Sequence, residues 1–233
     1  QDDNLHWADG NSPEVWAPLH AWRALGALQA ESAVGPLVAL LQRIDAYDDD
    51  WVMEELPEVL GQIGAAAIVP LDAFLTDAQK GVWARITAAS SLAKIGQADP
   101  ESREACISVL TKALENFKRH DEELNGFIVS ALVDLKAVES AEVMARAFAA
   151  DKVDESIRGD WEDTQIALGL LDQRVTPPPH YVWLPDAEAK KLDRLTAQRK
   201  AEARSRRKVK AKTRTKNKQA RRQRKKKGKK KKK

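Results

Sequence analysis

Trp51-Val52-Met53-Glu54-Glu55-Leu56-Pro57-Glu58-Val59-Leu60-Gly61-Gln62-Ile63-Gly64 is the stretch that decides the fold. Its Trp stands nine residues before Leu60, and a second aliphatic, Ile63, follows three residues later. The frame recurs upstream as Trp16, Leu25 and Leu28, and downstream as Trp83, Leu92 and Ile95. Trp161 and Leu170 keep the spacing but place Gln173 last. Around Leu132 and Leu135, Phe127 replaces the Trp at a different offset. The anchor leucines 25, 60, 92, 132 and 170 are 35, 32, 40 and 38 residues apart. Steps of that size are those of two-helix units that stack on one another.

Each frame is followed by a second apolar stretch with helical spacing. Leu37, Leu40, Leu41 and Ile44 fall at i, i+3, i+4 and i+7, and Ile68, Leu71 and Leu75 do likewise. Ile107, Leu110, Leu114 and Phe117 serve the third unit, and Met144, Ala147 and Phe148 the fourth. Gly64 and Gly96 are expected as C-caps of first helices. Pro36 and Pro70 are expected near the starts of second helices, where a missing N–H costs little. Pro57 should kink its helix. No alternating β-branched run is present, so Asn125-Gly126 reads as a turn between helices. The four repeated tryptophans read as core between units, with Trp7, Trp22 and Trp183 less constrained.

Trp16-Ala17-Pro18-Leu19-His20-Ala21-Trp22-Arg23-Ala24-Leu25-Gly26 and Glu54–Gly64 resemble HEAT-like repeats of the phycobilisome-lyase type. Residues 14–171, with Asp154-Glu155-Ser156-Ile157-Arg158-Gly159-Asp160-Trp161-Glu162-Asp163, resemble a bacterial family of unknown function built from them. The resemblance implies an all-α, right-handed α-solenoid of about four to five helix pairs. Some members of that family end in a cysteine-rich SEC-C zinc motif. This chain ends in Lys and Arg without cysteine, so no zinc carries over. The expected organisation is an N-terminal segment 1–12, a repeat domain 13–171, a Pro-rich linker 172–185 and a basic tail 186–233. The tail is expected to be helical to about 210 and disordered beyond.

Charge divides the chain in the same place. Residues 1–185 hold 14 Lys/Arg and 31 Asp/Glu, a net of −17, whereas 186–233 hold 25 and 4, a net of +21. An acidic body favours a basic partner and repels nucleic acid. Asp48, Asp49, Asp50, Asp121, Glu122, Glu123, Asp154, Glu155 and Asp160 all fall in the turns that lead into first helices. Stacking would align them along one edge as a protein-docking surface, with helix capping as the competing explanation. The tail residues Arg204, Arg206, Arg207, Lys208, Arg221, Arg222, Arg224, Lys225, Lys226 and Lys227 are expected to meet a polyanion. RNA, DNA or the ribosome, an anionic lipid surface, and the acidic body itself compete for that role.

Chemistry finds little foothold. The four histidines form no pair with metal-ligand spacing, and no phosphate loop or nucleophile elbow occurs. Cys106, the single cysteine, can form no internal disulfide and reads as a packing residue. No metal and no cofactor is expected, nor is a catalytic set. The start, Gln1-Asp2-Asp3-Asn4, has no signal-peptide character, and no apolar run approaches the roughly 20 residues of a membrane span. The expectation is a cytoplasmic, monomeric, non-enzymatic interaction scaffold. An accessory lyase or other enzyme using a cleft between repeats is the alternative. A HEAT-like alkylpurine glycosylase is a further one, though the body has too few cations for a DNA-binding face.

Overall fold

The structure, a computed structural model, describes residues 2–177. The basic tail and the polyanion residues from Arg204 to Lys227 lie outside the described residues, as do His180 and Trp183. Every described element is helical, with no strand among them. The elements are α1 (Asp3–His6), α2 (Ala17–Ala27), α3 (Val34–Leu40), α4 (Gln42–Tyr47), α5 (Asp50–Ile63) and α6 (Ile68–Thr76). They continue with α7 (Val82–Ala98), α8 (Arg103–Glu115), α9 (Glu122–Asp134), α10 (Ala141–Ala149), α11 (Glu155–Arg158) and α12 (Trp161–Leu168).

The helices fall into two rows. In one, α2 packs on α5, α5 on α7, α7 on α9, and α9 on α11 and α12; in the other, α3 packs on α6, α6 on α8 and α8 on α10. One continuous core runs from Leu19 to Leu168 between them. Leu56, Leu60, Leu71, Leu75, Leu92, Leu110, Leu114 and Leu132 are fully buried in it. The central helix α7 touches α5, α6, α8 and α9 and is buried nearly all round. Its small residues suit that position, and Thr87 and Ser91 turn their hydroxyls back onto the carbonyls of Trp83 and Thr87, at 2.9 and 2.8 Å.

The repeat shows in the backbone as well as in the leucines. Four residues after Leu25, Leu60 and Leu132 stand Gln29, Gly64 and Lys136, each with φ between 50° and 86°. Short 3₁₀ turns then follow at Glu31–Ala33, Ala65–Ala67 and Val138–Ser140. At the first and last of these, the Ala30 and Ala137 N–H groups reach back to the Leu25 and Leu132 carbonyls at 3.0 and 2.9 Å. The Gln29 and Lys136 N–H groups close onto Gly26 and Val133. This Schellman closure satisfies the last carbonyls and turns the chain into its second helix. At the middle junction, Gly64 closes onto the Leu60 carbonyl at 3.0 Å, and the chain bends by 119° between Asp50–Ile63 and Ala65–Thr76.

Several local expectations change. Gly96 does not cap a helix; it lies inside α7, where an added Cβ would stand 2.8 Å from Leu135 Cδ2 and 3.4 Å from the Arg103 Cα. It permits close helix packing instead. Asn125-Gly126 is no turn but the interior of α9, and both residues are buried. Leu170 is 43 % exposed, and the buried leucine of the last unit is Leu168, because α12 ends there and Gly169 takes a left-handed conformation. Pro36 and Pro70 sit in the first turns of α3 and α6, and Pro57 lies within α5. The packed unit spans Gln1–Val175, taking in the 1–12 segment and reaching past 171. Arg174 accounts for the extension by clasping Asp160 at the start of α12.

Candidate functional site

The repeated tryptophans mark the edge where first helices begin. Nine residues advance an α-helix by about two and a half turns, so a residue nine before an inward leucine faces the opposite side. Within α7, Trp83 is accordingly 40 % exposed opposite the buried Leu92, and within α5 Trp51 is half-buried opposite Leu60; Trp16, just before α2, is 48 % exposed, and Trp161 is half-buried. Trp51 and Trp161 pack against the core as expected, whereas Trp16 and Trp83 stay largely exposed, and Trp22, 4 % exposed, is core. Trp16 and Trp51 stack across adjacent units with centroids 5.4 Å apart and planes 15° apart. Trp83 meets Phe127 edge-on at 6.0 Å, which shows what the displaced aromatic of the fourth unit does.

Around the Trp16–Trp51 stack, the N-terminal segment closes a buried polar cluster. Asp49 caps α5 by accepting the Val52 N–H at 3.3 Å. Its Oδ2 also takes His6 Nε2 at 2.8 Å and Arg43 Nε at 3.1 Å, while Arg43 Nη1 reaches Asp3 at 2.9 Å. His6 and Asp49 are both 4 % exposed. The His6 ring sits among Trp7, Trp22 and Trp51, with centroids 4.7, 5.9 and 6.0 Å away. His6 Nδ1 and Arg43 Nη2 are buried without a hydrogen-bond partner. A pocket of about 280 Å³ opens beside the cluster, lined by His6, Trp7, Ala8, Val15, Asp48, Asp49, Asp50 and Trp51.

The acidic residues expected at this edge divide. Asp48 and Asp50 are exposed, Asp48 with φ 52°. Asp49 is not open to a partner, because its charge is spent on His6, Arg43 and the helix end. Asp121 precedes α9 without capping it through its side chain, and Glu123 is half-buried in the first turn. Glu122 takes Lys152 Nζ at 3.2 Å, and its carbonyl accepts the Asp154 N–H at 3.0 Å. The 121–123 and 154–155 groups therefore share one place. Asp154 caps α11 through the Ser156 N–H, and Glu155 opens that helix half-buried.

Asp160 forms a reciprocal capping box with Asp163 and takes Arg174 on both oxygens, at 2.9 and 2.7 Å. Burial alone would raise the Asp160 pKa, but the hydrogen bonds from Arg174 and the Asp163 N–H outweigh it and hold it below the usual carboxylate range. Capping thus explains Asp49, Asp154 and Asp160, while Asp48, Asp50 and Asp121 stay exposed.

A second polar knot joins the third and fourth units. Asn125 Nδ2 donates to the carbonyls of Phe117 at 2.9 Å and Lys152 at 2.7 Å, and its Oδ1 lies 3.3 Å from His120 Nδ1. Burial, reinforced by the positive charge of Arg85, pushes the His120 pKa down. Arg85 is itself buried and donates to the Leu75 carbonyl at 2.8 Å. Burial drives the Cys106 thiol up to about 11, so it is an unreactive packing group. Among the described residues no group of three or more His, Cys, Asp or Glu is placed to hold a metal ion. No single helix there is long and apolar enough to cross a membrane.

The chain matches no protein-family model, and no curated protein or solved structure is significantly similar to it.

Proposed function

We propose that this chain is a non-catalytic scaffold, a right-handed α-solenoid of HEAT-like helix pairs that holds a basic protein partner along the edge where its first helices begin. The observation that carries this reading is the stacked pair Trp16 and Trp51 beside the exposed carboxylates of Asp48 and Asp50, which have no ionic partner among the described residues. Exposed large aromatics grouped at one place supply the anchoring area that interfaces use. Most of the body's cations already serve the body. Arg23 pairs with Glu55, Lys94 with Glu58, Lys112 with Asp72, Arg103 with Glu139 and Arg158 with Asp134. These exposed pairs add little stability, on the order of 0–1 kcal/mol each. They do leave the acidic surplus facing solvent, where it steers a basic partner. The polybasic tail would tether the complex to RNA, DNA or the ribosome, cytoplasmic polyanions.

The test is co-purification with the tagged full chain from cells that produce it. Wild type should retain a defined basic partner that Trp16→Ser loses, while the circular dichroism of the two is the same. A partner retained equally by Trp16→Ser contradicts docking at this edge. Deleting residues 204–233 should abolish RNA binding without affecting that partner; unchanged RNA binding removes the tether.

A further inference from the structure

We infer that the pocket between Trp7 and Trp51 receives an arginine side chain from the protein partner. The inference rests on the scaffold reading above and gives that partner its chemistry.

The pocket is small, about 280 Å³, which suits one side chain rather than a peptide segment. Its lining combines two indoles, Trp7 and Trp51, with the carboxylates Asp48, Asp49 and Asp50. Trp7 is 56 % exposed, and Asp48 and Asp50 have no ionic partner among the described residues. Such walls reject an anion and favour a cation that can lie against a ring. The protein already makes this contact internally, since the Arg43 guanidinium lies 5.5 Å from the Trp7 ring centroid and 5.1 Å from that of Tyr47.

His6 gives a second and independent indication. Its Nε2 is committed to Asp49, and its Nδ1, on the opposite side of the ring, is buried without a partner. In the neutral tautomer that keeps the ring's proton on Nε2 and donates it to Asp49, Nδ1 is left with a lone pair that accepts a donor. Asp49 itself cannot serve the ligand, because its oxygens hold His6, Arg43 and the Val52 N–H. A ligand that matches the carboxylates and the indole rings of this lining brings positive charge and a flat face, and N–H donors suit His6 Nδ1 in that tautomer. Guanidinium has all three, whereas a lysine ammonium lacks the planar fork that stacks on indole.

The test is a tryptophan-fluorescence titration of the full 233-residue chain with an acetylated, amidated glycine–arginine repeat peptide. The same peptide with citrulline in place of arginine keeps the shape and removes the charge, and a glycine–lysine version keeps the charge and removes the plane. The arginine peptide should bind saturably, the citrulline peptide should not, and the lysine peptide should bind more weakly. Asp48→Asn with Asp50→Asn, both exposed, should weaken arginine binding about fivefold or more, as expected for lost contacts to a cation at a partly exposed site. Equal binding of citrulline or lysine overturns the inference, as does wild-type affinity in the double variant. If the chain holds its partner through Trp16 yet ignores the arginine peptide, the pocket assignment falls and the scaffold reading stands.

Discussion

Replacing Asn125 with leucine should destabilise the junction between the third and fourth units. The side chain is fully buried, and its amide nitrogen satisfies two carbonyls from separate turns, Phe117 after α8 and Lys152 after α10. Leucine fills much the same volume but strands both carbonyls. Each buried, unsatisfied acceptor costs about 1–3 kcal/mol. The His120 contact, 3.3 Å long, is weak and adds little. Added apolar burial returns part of the loss, so the net cost should be about 2–4 kcal/mol. For a unit of this size each kcal/mol moves Tm by about 2–4 °C, so the midpoint should fall by roughly 6–12 °C for a loss of 3 kcal/mol. Urea unfolding followed by circular dichroism gives the free energy directly. The midpoint should drop with the slope unchanged. Asn116→Leu is the control, because that residue is exposed and bonds only its own helix, at 3.3 Å. A loss below about 1 kcal/mol for Asn125→Leu would show that the two turns are not held through this amide.

Four other substitutions probe the frame. Asp45 reaches from α4 to cap α7, taking the Trp83 and Ala84 N–H groups at 3.1 and 2.8 Å where Gly81 offers no side chain. Asp45→Ala should cost about 1–2 kcal/mol in urea unfolding. Gly81→Ala would place a Cβ on the Asp45 carboxylate, so the double variant should lose less than the two singles together. Gln29→Gly removes a non-glycine residue from φ 50° and should stabilise by about 0.5–1 kcal/mol, read as a higher urea midpoint. Because the folded pKa of His120 lies below its ordinary 6.5, the unfolded chain takes up that proton first as pH falls. The contribution of neutral His120 is whole above about pH 6.5 and is lost as pH drops from there toward the folded value. His120→Gln should flatten that part of the stability profile, measured by urea midpoints at roughly pH 7.5 and pH 5.

The helical frame was legible because burial repeats. Leu60, Leu92 and Leu132 recur at unit spacing, and each is fully buried. Pro36 and Pro70 mark helix starts by a purely local rule. Trp83 was misread for want of a phase argument, since the position nine before the buried Leu92 in one helix faces the opposite side. Asn125-Gly126 carries a turn signature, yet the partners of that amide come from Phe117 and Lys152, which no local pattern names. Asp49 was legible as a helix cap. Its union with His6, 43 residues earlier, was not, because that distance is set by how α1 folds over the first unit.

Whether the Trp16 edge is a docking surface is tested most directly by a photocrosslinking amino acid placed at position 16 of the full chain in living cells. The control position is 69, 77 % exposed on α6 in the other helix row. One dominant crosslinked protein at 16, with none at 69, is the expected result. Equal crosslinking at both positions, or none at 16, would contradict a partner-binding edge.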